Sequence, residues 1–168
     1  GTYRMWYTFH PEGTWGGGRE IGYAVSPDGI RWKRFAGNPI LGRDAEGICR
    51  NPSSLSVVRR DGTYHLWMSG PGICHASSTD GIDWRIHGSI EIDKDLPGAL
   101  LSPGVIVEDG AFVMAFHNYD WDRKKGTLRF AGSTDGRHWK CGYLPPLENA
   151  TGPSPLVRGD KDWAGYFC

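Results

Sequence analysis

Three copies of one turn constrain this chain more than anything else in it. Ser26-Pro27-Asp28-Gly29-Ile30-Arg31-Trp32 recurs as Ser78-Thr79-Asp80-Gly81-Ile82-Asp83-Trp84 and again as Ser133-Thr134-Asp135-Gly136-Arg137-His138-Trp139. The copies start 52 and 55 residues apart, the spacing of a structural repeat. Ser and Asp side chains hydrogen-bond backbone N–H groups in a turn, and Gly supplies a positive φ. The Trp three residues on brings a large apolar face with one polar N–H. Asp28, Asp80 and Asp135 are therefore read as structural turn residues, and function is sought elsewhere.

Strands fall in register around these turns. An aromatic strand recurs as Tyr3–Phe9, Tyr64–Ser69 and Ala111–Phe116, and a fourth begins near Asp162. Gly1-Thr2-Tyr3 matches Gly62-Thr63-Tyr64, the end of a hairpin turn. Each unit then offers four strand types. An inner strand (Ser53–Val58, Gly104–Val107 and Ser154–Val157) precedes the aromatic one. A third (Glu20–Val25, Ile73–Ser77, Thr127–Gly132) leads into S-x-D-G, and a fourth starts at Trp32, Trp84 and Trp139 and runs on to Ile40-Leu41, Ile90–Ile92 and Tyr143-Leu144. Four antiparallel strands per 40–60 residues is the pattern of propeller blades. The expected fold is all-β: a β-propeller with about three blades in residues 1–168, treated as one partial domain. Blade 1 spans about 1–41 without its first strand, blade 2 about 48–93 and blade 3 about 101–145, with a partial blade at 151–168. Such an open arc leaves strand edges unpaired, so a homo-oligomer is expected if this is the complete chain.

Nineteen basic and nineteen acidic side chains cancel, which gives none of the basic field that nucleic-acid binding needs. Eight Trp, seven Tyr, six Phe, 25 Gly and 11 Pro favour short strands and turns. No window reads as a membrane span or signal peptide, and localisation stays open between secreted and cytoplasmic. No cofactor is called for. His75 and His117 show no ligand spacing, so no metal is expected. Cys49, Cys74, Cys141 and Cys168 stand far apart; buried free thiols are the expected state, with a disulfide between repeats as the alternative.

Antiparallel order sorts the loops into two ends. Short turns and the S-x-D-G motifs share one; long, irregular loops at His10–Arg19, Gly37–Arg50, Ser69–Gly72, Lys94–Leu101, Asn118–Gly126 and Pro146–Gly152 share the other, where binding usually sits. The Gly16-Gly17-Gly18 run lacks phosphate-cradle spacing. Substrate-binding candidates at the long-loop end are His10, Glu12, Trp15, Arg50, Asn51, His117, Tyr119 and Trp121, since sugar rings stack on aromatics and bond to polar side chains. Asp44 and Glu46 precede the inner strand of blade 2, and Asp120 lies in the third-blade loop. These three are the catalytic candidates, because glycoside hydrolysis needs two carboxyl groups across a sugar.

Tyr3-Arg4-Met5-Trp6-Tyr7-Thr8, then Ile21-Gly22-Tyr23-Ala24-Val25-Ser26-Pro27-Asp28-Gly29-Ile30-Arg31-Trp32, then Asn38-Pro39-Ile40-Leu41 resembles the repeat of five-bladed β-propeller glycoside hydrolases. That superfamily includes arabinofuranosidase/xylosidase, invertase-like and mannoside-phosphorylase groups. The resemblance implies an exo-acting or debranching enzyme on plant or microbial carbohydrate, with carboxylates at the inner strands around a funnel. It also marks two departures. Asn51 in Arg50-Asn51-Pro52 replaces an expected Asp, and Ser102 in Leu101-Ser102-Pro103 replaces an expected Glu. Neither side chain shuttles a proton near neutral pH. Three functions follow: a glycoside hydrolase, a non-catalytic carbohydrate-binding propeller, or a truncated oligomeric scaffold.

Overall fold

The computed structural model describes residues 1–11, 18–42, 49–148 and 150, with the backbone of Val157–Arg158 and Trp163–Ala164. Among them there is no α-helix. β1 (Tyr3–Phe9), β2 (Glu20–Ser26) and β3 (Lys33–Arg34) form the first sheet in that order. β4 (Leu55–Arg60), β5 (Thr63–Ser69), β6 (Ile73–Ser78) and β7 (Arg85–Ser89) form the second, a four-stranded antiparallel meander. A short β8 (Glu91–Ile92) leaves it. The third sheet has β9 (Ala99–Glu108), β10 (Ala111–Asp120), β11 (Lys125–Ser133) and β12 (His138–Cys141), with β13 (Leu147–Glu148) also on β11. β14 (Val157–Arg158) and β15 (Trp163–Ala164) pair as a separate hairpin.

Local chemistry explains the hairpins. Asp61-Gly62 and Asp109-Gly110 carry φ of 50° and 83°, and 48° and 77°, the two left-handed residues that a two-residue strand connection requires. In each S-x-D-G turn the Ser Oγ accepts the Gly N–H, at 2.9, 2.8 and 2.8 Å. Each Asp Oδ1 accepts two further N–H groups: from Ile30 and Arg31 at Asp28, Ile82 and Asp83 at Asp80, Arg137 and His138 at Asp135. Those N–H groups hold the carboxyls of Asp28 and Asp80 below the usual range. At Asp135 burial pushes upward but is outweighed by the His138 ring, 2.6 Å away, and the same backbone donors.

These turns also join sheet to sheet. The Trp6 indole of β1 donates to Gly81 O at 2.7 Å, and Trp67 of β5 donates to Gly136 O at 2.9 Å. The first two aromatic strands thus each plug one indole into the turn of the next sheet. In the third sheet Ala115 stands at that place, five residues after the turn glycine. Around Trp67 lies the largest core, with Ile73, Phe112, Met114, Phe116 and Trp139. A second core of Ile21, Leu66, Met68, Cys74 and Ala76 lies between the first and second sheets. Hydroxyls of the second sheet tie it to β9: Ser56 Oγ of β4 accepts Val105 N–H at 2.9 Å, and Ser69 Oγ of β5 accepts Ser102 N–H at 3.0 Å.

The structure corrects three expectations. Cys49 and Cys74 are joined in a disulfide, with Cα atoms 5.6 Å apart, and Cys141 alone is a free thiol among the described residues. The bond links the crossover to β6 within one unit, where the second core brings both side chains together. Residues 118–126 are mostly strand rather than loop, since β10 and β11 stay paired out to Asp120 opposite Lys125. Asp120 Oδ1 accepts the N–H groups of Asp122 and Arg123 and so closes this hairpin, a local bond that outweighs the polar composition. Finally, Glu91–Ile92 runs parallel to β12 of the third sheet instead of extending the second.

Candidate functional site

Among the described residues, two clefts open at the long-loop end. The first, of about 320 Å³, lies beside the start of β4 and is lined by Arg19, Arg50, Asn51, Ser53, Gly70 and Pro71. It gathers the approach to β2, the crossover into the second sheet and the β5–β6 turn. Asn51 has φ 55°, uncommon for a side chain other than Gly and costly just before Pro52. The Arg19 N–H holds it, donating to Asn51 Oδ1 at 2.9 Å. This bond uses the amide oxygen of Asn51, and the cleft is lined by two arginines beside it. Such a lining suits hydroxyl and anionic oxygens.

The second cleft, of about 160 Å³, lies over the β10–β11 hairpin, where Asn118, Asp120, Thr127, Arg129 and Glu148 meet. It is polar and internally paired. Asn118 Nδ2 donates to Pro97 O at 2.8 Å, Arg129 Nε donates to Asn118 Oδ1 at 3.0 Å, and Lys125 Nζ sits 2.8 Å from Glu148 Oε2. The Lys125 contact draws the Glu148 carboxyl below its ordinary range.

The sequence candidates therefore separate. Arg50 and Asn51 meet in the first cleft, and His10 follows β1 directly. Asp120 faces the second cleft, whereas His117, Tyr119 and Trp121 alternate with it along the chain and occupy the opposite face. Those three rings run together: His117 and Tyr119 have centroids 5.9 Å apart, Tyr119 and Trp121 4.5 Å, both edge-on. Trp121 is 64% exposed, while His117 is buried and its pKa is lowered by that burial. Glu12, Trp15, Asp44 and Glu46 lie outside the described residues. Arg19, Ser53 and the Gly70-Pro71 turn escaped the sequence reading as site residues. Arg19 and Gly70-Pro71 do fall in loops assigned to the long-loop end, which was the available signal.

Strand register fixes which residue of the second sheet Ser102 corresponds to. Register pairs Ser56 with Trp67 and Gly104 with Ala115, equivalent strand positions. Ser102 thus corresponds to Ser54, not to Asn51, and the two hydroxyls lie 3.5 Å apart. Ser102 shares the left-handed backbone of Asn51, with φ 51°, at a bulge where β9 pairs irregularly with β10.

A more voluminous groove, of about 750 Å³, follows β12 near the third S-x-D-G turn. Its polar groups are already engaged: His138 Nδ1 lies 2.6 Å from Asp135, Tyr143 OH donates to Glu108 at 2.7 Å, and Asp93 accepts Cys141 N–H at 2.8 Å. Its aromatic floor, Trp139, is 1% exposed. Volume alone does not make it the better site.

No protein-family model matches the chain. In sequence it is 31% identical over 127 residues to a 1,2-β-oligomannan phosphorylase of Thermoanaerobacter sp. (strain X514), a match that covers 71% of this chain and 40% of that protein. The solved structure of a sucrose-6-phosphate hydrolase from Lactobacillus gasseri superposes with a TM-score of 0.74 at 18% identity, covering 94% of this chain and 35% of that one. A glycosyl hydrolase from Bacteroides ovatus gives a TM-score of 0.67 at 19% identity, covering 97% and 56%. The chain thus spans 40%, 35% and 56% of these proteins, and the structural likenesses speak for the fold. The chain carries part of the propeller fold of the invertase-like and related glycoside hydrolases, and it is a distant homologue of an oligomannan phosphorylase.

Proposed function

We propose that this chain supplies about three four-stranded units of a carbohydrate-active propeller and binds sugar at its long-loop end. The observation that carries this reading is the first cleft, where a strained Asn51 is held by the Arg19 N–H in a lining that also includes Arg50 and Ser53. Backbone strain of this kind collects at ligand sites. The paired amide and guanidinium donors fit the hydroxyl rim of a glycoside. The exposed Trp121 ring, with Tyr119 beside it, offers a face for a second sugar unit. Glycosyl transfer to water needs a carboxyl pair about 5–10 Å apart, a role we assign to Asp44 or Glu46 with Asp120 as partner.

One observation favours a second reading, binding without turnover. Asn51 stands where the resembled enzymes carry a carboxylate, and no described residue of the first cleft is acidic. Isothermal titration with β-1,2-mannobiose, sucrose and xylo-oligosaccharides, run beside product analysis, separates the two. Binding with glycosidic cleavage supports the enzyme; binding with intact sugar supports the module. Absence of any binding at millimolar sugar would remove both.

A further inference from the structure

Three imidazoles stack on the face of the second sheet that meets the third. His65 of β5 and His75 of β6 lie parallel within 2°, centroids 5.3 Å apart, with His65 Nδ1 3.1 Å from His75 Nε2. His87 of β7 stacks on the other side of His75 at 5.0 Å and places its Nε2 2.7 Å from Ser77 Oγ. Trp67 covers the pair, 5.1 Å from His75 and 5.9 Å from His65. From the third sheet, the Phe112 ring closes to 4.9 Å of His65, and the Gly136 turn sits so near that a Cβ there would lie 3.4 Å from His75 Cε1. His75 is 3% exposed, and its Nδ1 has no hydrogen-bond partner.

This arrangement accepts protons badly. The 3.1 Å contact needs one ring to donate and the other to accept, so a second proton turns both facing nitrogens into donors. A proton on His75 Nδ1 would leave a buried N–H without an acceptor. The neighbouring charges do not help. Arg60, Arg85 and Arg137 press on the stack, while Asp61 is exposed and Asp135 is taken by its own turn and by His138. Arg60 is itself fixed across the seam, over the Phe112 ring at 3.8 Å and bonded to Gly110 O and Thr134 O. At His75, the buried member of the stack, an imidazolium finds water only if the third sheet lifts away from Trp67, whereas His65 and His87 are half-buried at its flanks.

We propose that the His65–His75–His87 stack is an acid-operated clasp, which seals the second sheet to the third while neutral and releases that seam when protonated. Burial, then the neighbouring cationic and imidazole groups, holds His75 down to about 3, and burial likewise lowers His65 and His87. The sign follows from linkage. These groups stay neutral when folded but take protons when released, so their contribution is complete above the ordinary 6.5 and is lost as pH falls toward the folded values. The turn carboxylates of Asp28, Asp80 and Asp135 act below 3.8, and that of Glu148 below 4.5, so acid loss between 6.5 and 4.5 isolates histidines. His138, raised by Asp135, works in the opposite sense, losing its contribution as pH rises. His117 acts in the same direction from another face and serves as the control.

The test holds the protein between pH 7.5 and 4.5, then pulse-labels its amides with deuterium at one fixed pH. The expected result is a rise of about tenfold or more in labelling of Phe112–Phe116 and Phe130–Trp139 on the acid side, while β1 and β2 stay protected. His65→Gln with His75→Asn moves that release at least one pH unit lower, and His117→Gln leaves it in place. Should the double variant not fold, His87→Gln carries the test with a smaller downward shift. The clasp is refuted if the seam stays protected to pH 4.5, or if folded clasp variants release at the native pH.

Discussion

Replacing Gly81 by Ala probes the joint that the repeat builds between sheets, and Gly62→Ala is its internal control. Both glycines have nearly the same left-handed backbone, φ +84° and +83°. An Ala in that conformation costs about 1–2 kcal/mol at either position. What a Cβ would meet differs. At Gly62 nothing lies within 4 Å, whereas at Gly81 Trp6 Cζ2 stands 2.8 Å away. The Trp6 ring is wedged by Tyr23, Tyr64 and Trp84, with centroids at 5.4, 5.5 and 6.4 Å, so it must push its neighbours to move. Overpacking of this kind costs about 1–3 kcal/mol. The displaced indole also loses its 2.7 Å bond to Gly81 O, worth about 1 kcal/mol. Gly81→Ala should therefore be about 2–4 kcal/mol worse than Gly62→Ala. In a chain of this size that is a gap of roughly 5–15 °C in melting temperature. Urea unfolding followed by tryptophan fluorescence measures both variants. If the gap were under about 0.5 kcal/mol, the indole-to-turn joint would carry no weight in holding the first and second sheets together.

Asp80→Ala removes two turn N–H bonds, and a loss of about 1 kcal/mol in chemical denaturation is expected by analogy with helix caps, with sugar affinity unchanged. Lost affinity at unchanged stability would put the ligand at the wrong end. Reducing Cys49–Cys74 opens a loop spanning 25 residues and should cost about 3 kcal/mol, read as the difference between melts with and without dithiothreitol. Asn51→Ala should weaken sugar binding tenfold or more by calorimetry, because it removes the side chain that the Arg19 N–H orients.

Much of the fold was legible because its signals are local. Asp61-Gly62 and Ser78-Thr79-Asp80-Gly81 determine their own turns, and turns at fixed spacing dictate the strands between them. Features that depend on two distant segments were not. Nothing near Trp6 in sequence announces Gly81 as its acceptor, although Trp6 and Trp67 share one repeat position and could have prompted the thought. The cysteine pairing depends on how the crossover folds back over β6. Ser102-Pro103 mimics Asn51-Pro52 in sequence, but counting back from Asp109-Gly110 rather than forward from the motif assigns it to Ser54. Asp120 looked like a free carboxylate because a hairpin closed by an acidic side chain has the composition of a solvated loop. Its Asx bonds to Asp122 and Arg123 give that acid a structural task alongside the catalytic one proposed for it. The cleft residues come from three separate connections, and only Arg50 and Asn51 were flagged by a motif.

The most direct test of sugar binding at the long-loop end is a nuclear magnetic resonance titration of the backbone amides with β-1,2-mannobiose and with sucrose. The account predicts saturable shifts centred on Arg19, Arg50, Asn51, Ser53 and Gly70. Shifts confined to the Gly29, Gly81 and Gly136 turns, to the β12 groove at Trp139 and Lys140, or absent altogether at millimolar sugar would contradict it.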